Sequence, residues 1–411
     1  MHSDGAPLGA VGRVQEMDVL RGVALFGVFL ANLVGFASAD IMATEQQLLS
    51  LPTAPWDFAL RDVIHWLVVD KANTLFAFLF GLGFWLQMQR LEERGADFET
   101  LYLRRLAVLL VIGLIHFFFI WTWDILHLYA MAGFVLFAMR RASNRDLLAL
   151  GIIFALAGRA FQKTLAEFTS LATSGGGYDD ASVLVRQKLS ESGDYFGVVR
   201  NFFDWVIIDY LTTGLIISWL CYALGRFLIG AWVGRHGWIS RAREYQPQWK
   251  RLAQWFLPTG LLLEGAATLL RGTLPPDWEH REFLADTLHL FSVPVLAVGY
   301  VSGLVAFFQT PRGARLLAPF AWSGRMALTN YLTQSFVIAF VLFGVGPGLA
   351  LAGRIGTCAL TAIVVFVYAL QIVFSRWWLS RFAFGPAEWL WRALTYGKRP
   401  SWRLQKGGIA T

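Results

Sequence analysis

The first long apolar stretch decides the fold: residues 17–36 read MDVLRGVALFGVFLANLVGF. An apolar helix of about 20 residues is long enough to span the hydrocarbon core of a bilayer. The stretch also contains Asp18, Arg21 and Asn32, and polar side chains are costly at that depth. Because a helix turns about 100° per residue, these three side chains share one face. They form a functional polar stripe, or Asp18 and Arg21 form an ion pair that reaches the headgroups.

The composition indicates a protein embedded in a membrane. Of its 411 residues, 56% are hydrophobic, only 15% are charged, and 18 are Trp. Long apolar segments dominate, so we predict a polytopic all-α membrane protein and exclude a transmembrane β-barrel. The first stretch is a full span without a small-residue cleavage site, which favours a retained helix over a signal peptide.

The distribution of charge and the number of cysteines exclude further classes of protein and of site. The isoelectric point near 9.5 could suggest nucleic-acid binding, but the basic residues recur in short loops and not in one patch. The two cysteines, Cys221 and Cys358, lie far apart in apolar segments, so neither a metal site nor a disulfide is indicated. No nucleotide-binding loop or hydrolase elbow motif occurs in the chain.

We predict about ten transmembrane helices, most of them close to the length that a bilayer requires. Basic residues recur in every second connection, so the positive-inside rule places both termini in the cytoplasm. The predicted spans lie near residues 17–37, 72–88, 103–121, 124–139, 146–161, 206–232, 253–271, 284–308, 326–345 and 355–375.

Two long connections then face outward, at 38–71 and 162–204. The first contains an amphipathic stretch, residues 56–70, which we expect at the outer membrane–water interface. The second is polar and contains three consecutive glycines at 175–177, and we expect it to form a flexible lid or cap. The chain thus divides into an N-terminal helical bundle (1–161), an outward-facing loop (162–205) and a C-terminal helical domain (206–411).

His116 is the strongest candidate for a general base. It lies near the outer end of the third span, and Asp124 follows in a tight turn from which its carboxylate can fold back to the imidazole. A carboxylate partner fixes the tautomer of an imidazole and raises its basicity. A histidine at a span end is more often only interfacial, and His65, in the amphipathic stretch, is the second candidate.

Ionisable residues of the later spans keep a carrier hypothesis open, because intramembrane acids serve proton-coupled carriers. We find no inverted repeat that would favour transport. The motif FGLGF at 80–84 spaces its two glycines for close helix packing and not for phosphate binding. The ionisable residues are Asp209, Arg226, Glu264 and His289.

Several blocks of the sequence resemble the YeiB-like membrane protein family, over nearly the whole chain. In the N-terminal half they are DVLRG at 18–22, LFAFLFGLG at 75–83 after Asp70-Lys71, and IGLIH at 112–116. In the C-terminal half, three blocks resemble the family's domain of unknown function: LGRFLIG at 224–230, GRMALTNYLTQS at 324–335 and FGPAEWLWRALTY at 384–396.

The resemblance implies a branch of the transmembrane acyltransferases, which include the heparan glucosaminide acetyltransferases. Such enzymes transfer an acyl group from cytoplasmic acyl-CoA to an acceptor across the membrane. Arg21 followed by Asn32 has the spacing of the heparan enzymes, whereas the sugar and peptidoglycan O-acyltransferases carry a His at the second position. Where the heparan enzymes have their catalytic His, ahead of an Asp that matches Asp70, this chain has Leu60. His65 is the nearest substitute.

On this basis we expect an acyltransferase of the bacterial inner membrane, with residues 1–161 as its acyltransferase-like part. Acyl-CoA would be a co-substrate and not a tightly bound cofactor. Arg21, held by Asp18, would meet it from the cytoplasmic side, and Arg104 and Arg105 would be available for its phosphates.

The remaining expected roles concern the acceptor, an extracytoplasmic sugar, lipid or small molecule. Asn32 would hydrogen-bond the acyl carbonyl or the acceptor, and His116 oriented by Asp124 would take the acceptor's proton. Membrane lipids surround the chain, no metal or nucleic acid is expected, and a homo-oligomer is compatible with the sequence. The alternative function is a small-molecule or lipid transporter or flippase that uses a cavity lined by the same polar residues.

Overall fold

The computed structural model describes residues 14–38, 41–95, 97–170, 179–212, 214–273, 281–344 and 348–403. Within these ranges the chain forms sixteen α-helices and no strand, apart from one isolated bridge between Phe382 and Arg403. The prediction of an all-α protein is therefore confirmed.

Six segments are long and apolar enough to cross a membrane, or seven if the bent pair α13–α14 counts as one span. The helix pair α3–α4 forms one of the six, and α13 and α14 meet at an angle of 81°. These helices are α1 (Gln15–Phe36), α3 (Ala54–Leu67), α4 (Lys71–Glu93), α5 (Phe98–Phe119), α10 (Leu215–Arg235), α12 (Arg281–Phe308), α13 (Pro311–Arg325), α14 (Ala327–Phe343) and α15 (Thr357–Leu379).

The remaining helices are shorter or more polar. They are α2 (Glu45–Leu49), α6 (Leu126–Ala138), α7 (Asn144–Ser170), α8 (Asp180–Glu191), α9 (Tyr195–Thr212), α11 (Gln246–Thr273) and α16 (Pro386–Tyr396).

Each predicted span coincides with helix, but the spans at 124–139, 146–161 and 253–271 fall on α6, α7 and α11, which are not among the candidate membrane-crossing segments of the described residues. Two further details bear on the count. The span predicted at 206–232 is divided at Gly214, whose φ of 67° separates α9 from α10. The span predicted at 124–139 is α6, which has 13 residues and is shorter than the length a bilayer requires. The protein is a multi-pass helical membrane protein, while the count of ten and the cytoplasmic termini stay predictions.

The hydrophobic core joins the two predicted halves of the chain. Its largest cluster contains Leu25 of α1, Phe84 of α4 and Leu106 of α5, together with Phe227 of α10 and Tyr331 of α14. Because these helices share one core, side chains from both halves can meet in one site.

Two pairs of helices approach each other closely at glycines. A Cβ atom at Gly22 would lie 2.0 Å from the Phe320 carbonyl oxygen, and one at Gly324 would lie 1.9 Å from the Asp18 carbonyl oxygen. Helices α1 and α13 therefore touch backbone to backbone, which any larger residue would prevent. At Gly81, α4 meets α10 in the same way, as the packing interpretation of the FGLGF motif predicts.

The two connections predicted to face outward carry helices of their own. Helix α3 covers most of the amphipathic stretch predicted at 56–70, and its Trp56 is 74% exposed. Helix α8 lies within the connection predicted as a flexible lid or cap, and it is anchored by the buried Arg186, whose Nε donates to the Ile41 carbonyl at 2.7 Å. This part of the connection is therefore an anchored helix, and the glycines at 175–177 lie outside the described residues.

We expect Gly22→Ala to lower the thermal unfolding temperature, because the added methyl group would overlap the Phe320 carbonyl. Overpacking of this kind costs about 1–3 kcal/mol. Gly35→Ala is the matched control, since Gly35 lies in the same helix with no atom within 4 Å of its Cβ position. Thermal unfolding of the two purified variants measures the difference, and a Gly22→Ala protein as stable as the control would contradict the close contact.

Candidate functional site

A cavity of about 330 Å³ lies between α1, α4, α5, α6, α13, α14 and α16. Two carboxylates, Asp18 and Glu388, line it beside a larger number of guanidinium groups. This excess of guanidinium groups suits an anion that carries several charges, since Arg binds phosphate and carboxylate in a bidentate manner. The lining arginines are Arg21, Arg90, Arg94, Arg105, Arg325 and Arg392.

The pair predicted from the first apolar stretch lies on the α1 wall of this cavity. Arg21 Nη1 is 3.7 Å from Asp18 Oδ1, one helical turn earlier. Gly83 of α4 leaves room for the guanidinium, because a Cβ atom there would lie 2.9 Å from Arg21 Nη2. The two glycines of FGLGF thus differ: Gly81 serves helix packing, and Gly83 makes space for Arg21.

Of the two neighbouring arginines on α5, one lines the cavity and the other does not. Arg105 stacks on Trp391 of α16, with its Cζ 3.8 Å from the ring centroid, and the Trp391 indole donates to the Arg105 carbonyl at 2.9 Å. Arg104 is exposed, and its Nη2 donates to the Leu394 carbonyl at 3.3 Å. The geometry follows from the helix, where consecutive side chains point about 100° apart.

Glu388 of α16 caps α14 at its bend with α13. Its Oε1 accepts hydrogen bonds from the backbone N–H groups of Leu328 at 2.7 Å and Thr329 at 3.1 Å. A carboxylate here satisfies amides that have no partner within the helix, and it is favoured by the helix dipole. Burial raises the pKa of the Glu388 carboxyl, and these hydrogen bonds partly offset the rise. Glu388 thereby holds the first turn of α14 at the cavity wall.

Leu126, Tyr129 and Tyr331 also line the cavity. The Tyr331 hydroxyl donates to Asp124 Oδ1 at 3.3 Å, and the same oxygen lies 2.9 Å from His116 Nδ1. The predicted contact between His116 and Asp124 is therefore present. Both residues are buried, at 1% and 0% exposure.

A second histidine holds the carboxylate of Asp124 from the other side. The His127 backbone N–H donates to Asp124 Oδ2 at 3.0 Å, and His127 Nδ1 lies 3.0 Å from the same oxygen. Four contacts therefore fix this carboxylate: two from His127, one from His116 and one from Tyr331. The turn between α5 and α6 is thus a rigid support for the His116 ring.

The free nitrogen of His116 is the chemically notable atom of the site. Because Nδ1 donates its hydrogen to the Asp124 carboxylate, Nε2 carries the lone pair; the tautomer follows from the hydrogen bonds. Nε2 is buried and has no hydrogen-bond partner among the described residues. The ring lies just behind the cavity, 5.6 Å from the Tyr331 ring between centroids. This nitrogen can accept a proton from a substrate that reaches it.

Besides Arg104, two more of the predicted site residues do not line this cavity. Asn32 is half-buried on α1, and His65 has an exposed side chain on α3. Asp18, Arg21 and Arg105 all line the cavity, and His116 and Asp124 are linked to it through Tyr331. In the described part of the chain, no group of three His, Cys, Asp or Glu side chains is arranged to hold a metal ion.

Sequence reasoning missed the site residues of the C-terminal half. Arg325 and Tyr331 come from the GRMALTNYLTQS block, and Glu388 and Arg392 come from the FGPAEWLWRALTY block. Both blocks were visible as family-like segments with unusual polar residues near apolar helices. Their relation to α1 was not visible, because it arises only from the contact between α1 and α13.

This chain is similar to one described protein family and to several known proteins. The family described as "Protein of unknown function (DUF418)" matches residues 233–398. The "Uncharacterized protein YxaH" of Bacillus subtilis (strain 168) is 32% identical over 399 residues, covering 93% of this chain and 94% of the relative.

Two further relatives also match over almost their full length. The "Uncharacterized protein YeiB" of Escherichia coli (strain K12) is 30% identical, covering 92% of this chain and 95% of the relative. The "Uncharacterized 39.9 kDa protein in amylase 3'region" of Bacillus acidopullulyticus is 27% identical, with 96% of each chain covered. The similarity spans both halves, and the chain belongs to the YeiB-like family of membrane proteins.

Proposed function

We propose that this protein is a membrane-embedded acyltransferase, which moves an acyl group from cytoplasmic acyl-CoA to an extracytoplasmic sugar, lipid or small-molecule acceptor. One observation carries the proposal: Tyr331 lines the arginine-rich cavity and hydrogen-bonds the carboxylate that orients His116. Tyr331 thus connects an anion site to a candidate general base.

The guanidinium groups would bind the phosphates of acyl-CoA. Arg21, Arg105 and Arg325 come from three different helices, and each lines the cavity. Asp18 beside Arg21 and Trp391 beneath Arg105 restrict the two guanidinium planes, which favours bidentate contacts with phosphate oxygens.

The transfer would use His116 as a general base. Nε2 takes the proton of the acceptor hydroxyl or amine as the acceptor attacks the thioester carbonyl carbon. The new carbon–oxygen or carbon–nitrogen bond forms, the carbon–sulfur bond breaks, and the imidazolium returns its proton to the CoA thiolate. Asp124 stabilises the imidazolium between these steps. His116 is buried and does not line the cavity, so side chains of the cavity wall must move before an acceptor can reach Nε2.

A carrier or lipid flippase is the alternative, and the broken helix α13–α14 favours it. Discontinuous helices whose ends face a cavity are typical of transporters, and this pair bends by 81° at the cavity wall. Labelled acyl-CoA with purified protein separates the two functions. Thioester loss that depends on an acceptor supports the enzyme, whereas uptake into vesicles without covalent change supports the carrier.

We also propose about ten spans, cytoplasmic termini and insertion in the bacterial inner membrane. The arginine-rich α4–α5 connection and the basic stretch between α10 and α11 support a common cytoplasmic side. On this assignment the cavity opens toward the cytoplasm, where acyl-CoA is made.

Cysteine labelling tests this orientation. In a chain whose Cys221 and Cys358 are replaced by Ser, we expect Lys188→Cys to react with an impermeant thiol reagent on intact cells. Arg243→Cys should react only after the cells are opened, and both positions are exposed. Equal labelling of the two on intact cells would overturn the orientation.

The role of the Arg21 guanidinium in binding acyl-CoA is tested by two conservative substitutions, one of which is a control. We expect Arg21→Lys to weaken acyl-CoA binding at least about tenfold, or about 1.4 kcal/mol, because an ammonium cannot replace a bidentate guanidinium. Arg104→Lys is the control, since Arg104 does not line the cavity. Calorimetric titration of the purified protein measures both, and equal affinities would remove Arg21 from the binding site.

The base is tested by a double-mutant cycle. We expect His116→Ala, Asp124→Asn and the double variant to lose similar amounts of transfer rate, on the order of 10²–10⁴-fold, because the two side chains act as one unit. His236→Gln, a histidine change remote from the cavity, should keep the wild-type rate. Additive losses, or losses explained by a lower folded fraction alone, would assign His116 and Asp124 to stability.

A further inference from the structure

A second group of buried charges lies apart from the arginine-lined cavity, where the start of α4 meets α11 and α12. Lys71 and Glu264 are both 1% exposed, and Lys71 Nζ lies 2.6 Å from Glu264 Oε1. Lys71 also donates to the His65 carbonyl at 2.8 Å. Neither Lys71 nor Glu264 is among the residues that line the cavity, so the acyl-transfer proposal leaves this costly pair without a role.

His289 of α12 bridges two carboxylates in this group. Its Nδ1 lies 2.8 Å from Glu264 Oε1, and its Nε2 lies 2.9 Å from Asp70 Oδ2. A neutral imidazole has one N–H group and can donate to only one carboxylate, whereas an imidazolium donates to both. The Ser292 hydroxyl donates to the other Glu264 oxygen. The geometry therefore fits a ring that carries two protons.

In the contacts above, Lys71 and a protonated His289 place two positive charges against the carboxylates of Asp70 and Glu264. Loss of the His289 proton would leave the two carboxylates facing one ammonium group and would remove one donated hydrogen bond in a largely buried site, which is unfavourable. Nearby, Arg271 of α11 is already paired with Asp286 of α12 at 2.7 Å.

One end of the group is accessible and the other is closed. The Asp70 side chain is 27% exposed and that of His289 is 14% exposed, whereas those of Glu264 and Lys71 are 2% and 0% exposed. Asp70 also has a left-handed backbone with φ of 64°, a strained conformation for a residue other than glycine. The Tyr222 hydroxyl donates to the Asp70 carbonyl at 2.9 Å and holds this turn.

We propose that Asp70, His289 and Glu264 form a proton-binding site, which holds one exchangeable proton on the His289 ring and loads it through Asp70. The site ends at Glu264 and Lys71, so it is a loading site and not a continuous channel. Loss of the proton as the pH rises removes the hydrogen bond that the His289 ring donates to one of its two carboxylates, which weakens the packing of α12 against the start of α4. The inference does not depend on acyl transfer.

Nitrogen NMR of the full-length protein in detergent, with ¹⁵N-labelled histidine, tests the site directly. The chain contains 7 histidines, and His289→Gln assigns the signal. If that variant does not fold, correlation with ¹³C-labelled glutamate carboxylates identifies the His289 ring in the wild-type protein. We expect both His289 nitrogens to be protonated at neutral pH and one to lose its proton at alkaline pH while the protein stays folded.

Matched variants distinguish a binding site from a fixed ion pair. Asp70→Asn removes one of the two negative charges, so we expect a neutral His289 ring at neutral pH. Asp286→Asn, a similar change on α12 outside the group, should leave the His289 signal unchanged. A neutral ring in the wild-type protein would overturn the proposal. A ring that stays doubly protonated until the protein unfolds would overturn it as well and leave a structural ion pair.

Discussion

The close approach of α1 and α13 is the constraint on which the rest of the site depends. Gly22 and Gly324 let the two backbones touch. This contact brings α1 beside the end of α13, where Arg325 precedes the bend into α14. Arg21 and Arg325 then line one cavity although they are distant in sequence. Glu388 caps the helix that follows the bend and supplies a negative charge to the same wall.

Charged side chains inside the helical bundle include two groups with different character. The lining of the cavity has more guanidinium than carboxylate groups, which suits an external anion. In the group around His289, a doubly protonated ring can donate to two carboxylates, so the ligand that we propose there is a proton. In a low-dielectric interior, a change of charge in either group is costly. This cost is a physical reason for keeping the two groups apart.

The candidate base, His116, shows which contacts a sequence pattern can predict and which it cannot. The spacing of His116 and Asp124 across a tight turn was enough to predict their contact, because both lie in one local segment. His127 and Tyr331, which hold the same carboxylate, were not predicted as its partners. Tyr331 comes from a helix more than two hundred positions later, and the contact depends on how α14 packs against the turn.

The sequence alone determined the all-helical membrane class, most helix positions and the polar stripe of α1, because apolar length and helical periodicity are local properties. It also determined the family, through blocks in both halves. Tertiary structure decided which polar residues share a site: Arg105 but not Arg104 faces the cavity, and His289 meets Asp70. The physical reason is that such contacts join distant helices, whose rotation and approach depend on backbone contacts such as the one at Gly22.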